Sequence, residues 1–282
     1  MLNINSRVTL NNGRPLPRLG LGVWRVGDME TAQVVGWALE AGYRLIDTAS
    51  YYQNENSVGR ALKESAISRN DFFVTSKVWN DSQGYENTLR SCGRSLERLG
   101  LDYLDLYLVH WPVGGPELVV ETWRAMEKIY REGLARSIGV SNFTIRQLED
   151  LIARAEVKPA LNQVELHPLM TQEPLRKWCA QNGIRLEAYA PLARGRCLDA
   201  QPITVAAAKY DRTPAQIILR WQLQNDIVVI PKSVHRQRIF ENADLYGFNL
   251  TDDELAVISA LNRDQSVLST VFPQNEESYV II

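Results

Sequence analysis

A (β/α)8 barrel, in which eight parallel strands alternate with helices around a closed sheet, is the fold this sequence predicts, and three observations carry the prediction. Eight short apolar runs, each ending in polar residues, alternate with stretches of helical period. Eight such pairs within 282 residues match the size of the barrel, whereas an open doubly wound sheet more often has about five to seven strands. No charge block or Pro/Ser-rich stretch offers a linker, so residues 1–282 are expected to form one domain.

Each element has its own justification. Val8-Thr9-Leu10 and Leu16-Pro17-Arg18 flank Asn11-Asn12-Gly13, a turn signal that predicts a hairpin closing the bottom of the barrel. Strands are then expected at 19–23, 44–48, 72–78, 104–110, 135–141, 160–166, 185–189 and 227–231. Helices are expected at 29–41, 55–67, 84–99, 118–131, 145–154, 171–182, 202–225 in two pieces and 235–244, with a further one near 252–262. Thr213-Pro214-Ala215-Gln216 has a capping hydroxyl, a proline at the first helical position and a glutamine three residues on, and Thr251-Asp252-Asp253-Glu254 repeats the capping-box spacing. Gly42, Gly100, Gly133 and Gly183 each follow a helix, where a left-handed residue turns the chain into the next strand. Gly114-Gly115-Pro116 reads as a local loop.

Composition narrows the function classes. Lys and Arg number 31 against 33 Asp and Glu, a formal charge of −2, so no general basic field draws the chain to nucleic acid or an anionic membrane. Cys92, Cys179 and Cys197 are odd in number and lack C-x-x-C spacing, which suggests neither a disulfide framework nor a zinc site and fits a reducing compartment. The first residues lack the apolar stretch of a signal peptide, and no apolar run reaches the roughly 18 to 20 residues that span a bilayer. A soluble cytoplasmic protein is expected. No heptad or long exposed apolar face calls for an obligate partner, which makes a monomer the default.

In a barrel, side chains at the C-terminal strand ends share one mouth. Those ends carry Trp24; Asp47 with Tyr51 and Tyr52; Lys77 and Trp79; His110 and Trp111; Ser141 and Asn142; Gln163, Glu165 and His167; Tyr189; and Lys232 with Ser233. Asp47, Tyr52, Lys77 and His110 make chemical sense together. A tyrosine hydroxyl has an unperturbed pKa of about 10, and a buried ammonium beside it is expected to lower that value by roughly 1 to 3 units. Lys77 supplies the ammonium, Asp47 its counter-ion, and His110 a hydrogen bond to a substrate oxygen. Taken singly, each also has an ordinary structural explanation: a turn aspartate, a packed tyrosine, a rim lysine, a core histidine.

A second cluster lies after the eighth strand. Lys232, Ser233, Arg236 and Arg238 gather at a helix start, where cations oppose the helix dipole unless an anion sits between them. Backbone N–H groups, a hydroxyl and a basic fork suit a phosphate, and barrels often bind phosphate there. A solvated basic surface is the alternative. No G-x-G-x-x-G motif supports a Rossmann site.

Several segments, in order along nearly the whole chain, resemble the aldo-keto reductases. They include Ile46-Asp47-Thr48-Ala49 with Tyr52, Thr75-Ser76-Lys77-Val78-Trp79-Asn80, and Leu106-Tyr107-Leu108-Val109-His110-Trp111-Pro112. Ile138-Gly139-Val140-Ser141-Asn142-Phe143, Asn162-Gln163-Val164-Glu165-Leu166-His167-Pro168 and Ile230-Pro231-Lys232-Ser233-Val234 continue the match. The likeness is greatest to the bacterial branch that includes 2,5-diketo-D-gluconate and methylglyoxal reductases. It implies NADPH-dependent reduction of aldehydes and ketones by hydride transfer. Asp47, Tyr52, Lys77 and His110 would form the catalytic tetrad, with Tyr52 as general acid.

The resemblance further implies a cofactor set. Ser141, Asn142 and Gln163 would hold the nicotinamide carboxamide, with Tyr189 stacked on the ring. Lys232, Ser233 and Arg238 would take the adenosine 2′-phosphate, with Glu241 and Asn242 by the adenine; Leu192 and Val234 complete the set. Trp24, Trp79, His110 and Trp111 would meet a small carbonyl substrate. Ala190 follows Tyr189 where many relatives have serine or glycine, and the tail 264–282, with Phe272 and Tyr279, matches no family pattern. A metal-dependent barrel hydrolase is the second enzyme class, but His110, His167 and His235 have no paired ligand spacing. A barrel kept for binding alone is a third reading, against which the intact tetrad speaks.

Overall fold

The structure is a computed structural model and describes residues 2–268, so Phe272 and Tyr279 lie outside the described residues. Strands β1 (Arg7–Thr9) and β2 (Pro15–Pro17) pair antiparallel as the expected hairpin, with Gly13 at φ +82° in its turn. Eight parallel strands follow in sequence order around the sheet: β3 (Leu21–Gly22), β4 (Leu45–Asp47), β5 (Phe73–Val78), β6 (Leu106–Val109), β7 (Ile138–Ser141), β8 (Leu161–Glu165), β9 (Arg185–Tyr189) and β10 (Val228–Val229). The sheet closes where Leu19 pairs in parallel with Val229, through Gly20 N–H to Val229 O at 2.8 Å and Val229 N–H to Arg18 O at 3.0 Å.

Helices α1 (Asp28–Glu40), α2 (Glu55–Glu64), α3 (Tyr85–Leu99), α4 (Gly115–Arg131), α5 (Ile145–Ile152) and α6 (Glu173–Gln181) connect successive strands from β3 to β9. Helices α7 (Gln201–Tyr210) and α8 (Pro214–Gln224) share the next crossover, as the two-piece pattern predicts, and α9 (Arg236–Ala243) and α10 (Asp252–Ser259) follow β10. Capping boxes form at Thr213 and Thr251, and at Thr144 as well. The four predicted turning glycines, Gly42, Gly100, Gly133 and Gly183, have φ of +94°, +63°, +75° and +71°.

Two local expectations are corrected. Gly115 and Pro116 are the first turn of α4 and not loop, because Gly114 at φ +70° turns the chain and Pro116 suits a helix start. The first and last barrel strands keep only two ladder residues each, fewer than the apolar runs suggest; the flanking residues leave the ladder where the barrel closes through single bonds.

Alternation along the strands sorts the core into two compartments. Ile46, Val74, Tyr107, Val109, Val140, Val164, Leu186 and Val229 face outward and pack with helix residues such as Val35, Leu62, Trp123, Leu148 and Trp221. Leu45, Phe73, Leu106, Leu108, Leu161 and Val228 face inward and pack with Val8, Leu10 and Leu16 of the hairpin, which plugs the N-terminal end. Further side-chain bonds bind the plug to the bottom loops, Asn11 Nδ2 donating to Pro159 O at 2.9 Å and Asn12 Nδ2 to Arg136 O at 3.0 Å. Gly139 marks a tight interior contact on β7, where an added Cβ would meet Leu161 O at 2.6 Å.

Candidate active site

Two residues further up the same inward faces, the apolar layer gives way to polar groups. Asp47 stands above Leu45 on β4, Gln163 above Leu161 on β8, and Lys77 four residues along β5 from Phe73. Lys77 lies buried behind Asp47 and Gln163, which line a cavity of about 390 Å³ at the C-terminal end of the barrel. Its lining includes Trp24, Asp47, Tyr52, Trp79, His110, Trp111, Ser141, Asn142, Gln163, Tyr189, Leu192 and Lys232, all expected from the sequence.

Lys77 is fully buried. Its ammonium donates to Asp47 Oδ1 at 2.6 Å and to Thr48 O at 2.9 Å, and lies 3.4 Å from Tyr52 Oη. The turn after β4 brings Tyr52 there. Thr48 Oγ1 donates to Asn54 Oδ1 at 2.9 Å, Asn54 Nδ2 donates to Val23 O at 3.0 Å, and Ser50 Oγ donates to Lys77 O at 2.9 Å. His110 sits edge-on to Tyr52 and Trp79, with ring centroids 5.7 and 5.0 Å away, while Trp79 stacks on Tyr51 at 3.8 Å.

Burial sets the protonation states here. It works against the Lys77 charge, but the Asp47 carboxylate, with Tyr52 and Glu187, outweighs it and holds the ammonium above the ordinary lysine range. Burial, followed by the Lys77 charge, drives His110 well below the usual histidine range, so the ring is neutral at pH 7. Among the described residues His110 Nδ1 is buried without a partner, which favours the tautomer carrying the hydrogen on Nε2. The expectation for Tyr52 is overturned: burial pushes the phenol up to about 12, outweighing the lowering by Lys77, with Asp47 and Glu187 adding to the rise.

On the facing wall, the residues hold one another. Ser141 Oγ donates to Gln163 O at 2.8 Å, Asn142 Nδ2 to His110 O and to Ser141 Oγ at 3.0 Å each, and Tyr189 Oη to Asn142 Oδ1 at 2.7 Å. Asn142 adopts φ +67°, a left-handed conformation that asparagine tolerates better than most residues. Gln163 Nε2 donates both to Asp47 Oδ2 at 2.8 Å and to Glu187 Oε2 at 2.7 Å.

The basic cluster is only partly assembled. Lys232 lines the cavity, while Ser233, Val234, Arg238, Glu241 and Asn242 lie beyond its rim, before and along α9. Arg236 points elsewhere, pairing with Glu40 at 2.7 Å on the exposed outer face, so it does not join the expected fork. Among the described residues neither Lys232 nor Arg238 has an ion-pair partner.

Besides Arg25 of the cavity lining, Glu187 and Leu268 escaped the sequence reading. Glu187 is fully buried on β9 inside the barrel; its place two residues before Tyr189 on one strand face was the available signal. Leu268 enters the cavity lining, held there by Glu165, whose carboxylate accepts from Ser266 Oγ and Val267 N–H at 2.6 Å and from His167 Nε2 at 2.9 Å. Nothing local in the sequence marks a contact between residues a hundred positions apart.

Comparison with known proteins finds relatives along most of the chain. The model of the aldo/keto reductase family matches residues 18–263. Glyoxal reductase of Bacillus subtilis is 50% identical over 266 residues, covering 94% of this chain and 96% of its own. Methylglyoxal reductase DkgA of Escherichia coli is 46% identical over 258 residues, covering 91% and 93%. The crystal structure of a Bombyx mori aldo-keto reductase in complex with NADP superimposes with a TM-score of 0.89 at 37% identity, covering 96% of this chain and 97% of that one. With a closed eight-stranded barrel, a polar mouth and a family match across most of its length, this chain belongs to the aldo/keto reductase family.

Proposed function

We propose that this protein reduces small aldehydes and ketones to alcohols with NADPH as hydride donor, and that Tyr52 is the general acid. The observation that carries the reading is the line of contacts from Asp47 Oδ1 to Lys77 Nζ at 2.6 Å and on to Tyr52 Oη at 3.4 Å, at the floor of a cavity that Trp24, Trp79 and Trp111 also line. The activities for which the relatives are named support small carbonyl substrates such as glyoxal and methylglyoxal, and the Bombyx mori complex supports an NADP cofactor. The reading is of a single-domain, monomeric, cytoplasmic enzyme acting on free small molecules.

The residues present fit such a cofactor. Gln163 spends both hydrogens of Nε2 on the two carboxyls, which leaves Oε1 as an acceptor for an amide N–H at the cavity wall. Ser141, Asn142, Tyr189 and Leu192 would frame the nicotinamide end. Lys232 and Arg238, lacking carboxylate partners among the described residues, suit a phosphate with Ser233 between them, and Val234, Glu241 and Asn242 would border the adenosine. When bound, the reduced nicotinamide supplies a hydride to the carbonyl carbon.

The chain's own residues handle the proton. A phenol at about 12 keeps its hydrogen at neutral pH and yields it from Oη only once the carbonyl oxygen takes on alkoxide character, a far stronger base. Lys77 compensates the phenolate left behind, and Asp47 keeps Lys77 charged and in place. Neutral His110 donates from Nε2 to the carbonyl oxygen and orients it. Trp24, Trp79 and Trp111 exclude water and favour small apolar-bodied substrates.

The test is loss of the reduced-nicotinamide absorbance when NADPH and a panel of aldehydes, glyoxal and methylglyoxal included, meet the protein. Tyr52→Phe should lower kcat by about 10²- to 10⁴-fold while NADPH affinity stays within about twofold. Turnover equal to wild type would remove Tyr52 from the role.

A further inference from the structure

Glu187 is a buried carboxyl beside Asp47 and Gln163 that the proposed chemistry leaves unused. It projects from β9 into the barrel with no exposed surface, in a layer with Asp47 from β4, Lys77 from β5 and Gln163 from β8. Its Oε2 accepts from Gln163 Nε2 at 2.7 Å, and the same nitrogen donates to Asp47 Oδ2 at 2.8 Å. One amide therefore bridges two carboxyls, one hydrogen to each. Glu187 Oε1 is buried with no hydrogen-bond partner among the described residues.

We propose that Glu187 is a positioning residue: through the Gln163 amide it braces the Asp47 carboxylate against Lys77 and keeps Gln163 turned with Nε2 inward and Oε1 toward the cavity. This rests on the reading of the cavity as a nicotinamide site. Without a second acceptor, the Gln163 amide has less reason to prefer one of its two flipped orientations, and a flip would present hydrogens where the cofactor's own amide hydrogens need an acceptor.

The charge state follows from the same geometry. Asp47 has Lys77 as its counter-ion, whereas among the described residues Glu187 has no ion-pair partner and one oxygen without a hydrogen bond. The titratable groups facing it are Asp47, Lys77 and Tyr52, and neighbouring β10 brings only Val228 and Val229. Burial, then the Asp47 charge, pushes the Glu187 carboxyl up to about 8 against the Gln163 hydrogen bond and Lys77. Glu187 is thus a neutral acid at pH 7. Above that range a second negative charge appears beside Asp47, making proton release from Tyr52 harder.

Three measurements on the full chain test this. The infrared spectrum of the cofactor-free protein at pH 7 should show the carbonyl band of a protonated carboxylic acid that fades through about pH 8 and is missing from Glu187→Gln. NADPH titration should give a Kd raised about three- to tenfold in Glu187→Leu and restored to within about twofold of wild type in Glu187→Gln, which keeps an acceptor oxygen. The alkaline fall of kcat/KM should begin near pH 8 in wild type and at least about one unit higher in Glu187→Gln. Should Glu187→Leu fail to fold, the Glu187→Gln band and pH profile decide alone. Absence of the band, or coincident pH profiles, overturns the inference even if the wild-type enzyme reduces aldehydes. NADPH binding with no carbonyl reduction overturns the proposed activity but leaves the band and the titrations to judge Glu187.

Discussion

The lower and upper halves of the barrel interior are built on the same inward strand faces, yet they are held together in different ways. Below, Leu45, Phe73, Leu106, Leu108, Leu161 and Val228 pack with the hairpin plug. Above, Asp47, Lys77, Gln163 and Glu187 meet through hydrogen bonds of 2.6 to 2.8 Å. The apolar half is non-directional and tolerates loss of one member at the cost of a cavity. The polar half is satisfied only as a set, because each group relies on a partner from another strand. Stability in this protein is spread through the lower layer, whereas the chemistry is concentrated in a few mutually dependent groups two residues higher.

The comparison can be broken most severely at Lys77. Lys77→Met should destabilise the fold by about 3–5 kcal/mol in urea unfolding, since it strands Asp47 beside Glu187 without a cation. Burial already raises Asp47 in the intact chain against the opposing pull of Lys77 and Gln163, and removing Lys77 strengthens that shift, so the folded state binds a proton that the unfolded state has released. Stability must then fall as pH rises, and the loss should be smaller at about pH 5 than at about pH 8. Adding Asp47→Asn to Lys77→Met should recover part of the loss and flatten the pH dependence; a strictly additive double mutant would mean the two are not coupled.

A smaller effect is expected in the lower layer. Leu161→Ala should cost about 3 kcal/mol with no pH dependence and little change in NADPH affinity, because it opens a cavity among hydrocarbon neighbours alone. A pH-dependent loss there would blur the division between the layers. The smallest effect belongs outside both. Thr213→Ala removes the side-chain acceptor for Gln216 N–H at 3.3 Å and should lower stability by about 1 kcal/mol, leaving kcat and its pH profile unchanged.

Much of this was legible in one dimension. Strand and helix order, the hairpin, two capping boxes and four turning glycines each depend on residues within a few positions of one another, and all appear in the structure. Asp47, Tyr52, Lys77 and His110 were readable because a barrel sends every strand end to one mouth. Reading failed where a result is a balance across space. Tyr52 was expected to be acidified by its ammonium, but the degree of burial, which no local pattern reports, outweighs it. Arg236 was grouped with a phosphate site, yet the first turn of α9 directs it to Glu40, 196 positions earlier.

What the sequence determined by itself is the periodicity: alternating apolar runs, caps and turns commit the chain to eight strand–helix units and place polar residues at their ends. Tertiary structure alone decided which of those polar ends are charged, which are neutral, and which face each other. Sheet closure brings β4, β8 and β9 into one buried layer, and there the competition between desolvation and a neighbour at 2.6 to 2.8 Å sets the state of each group.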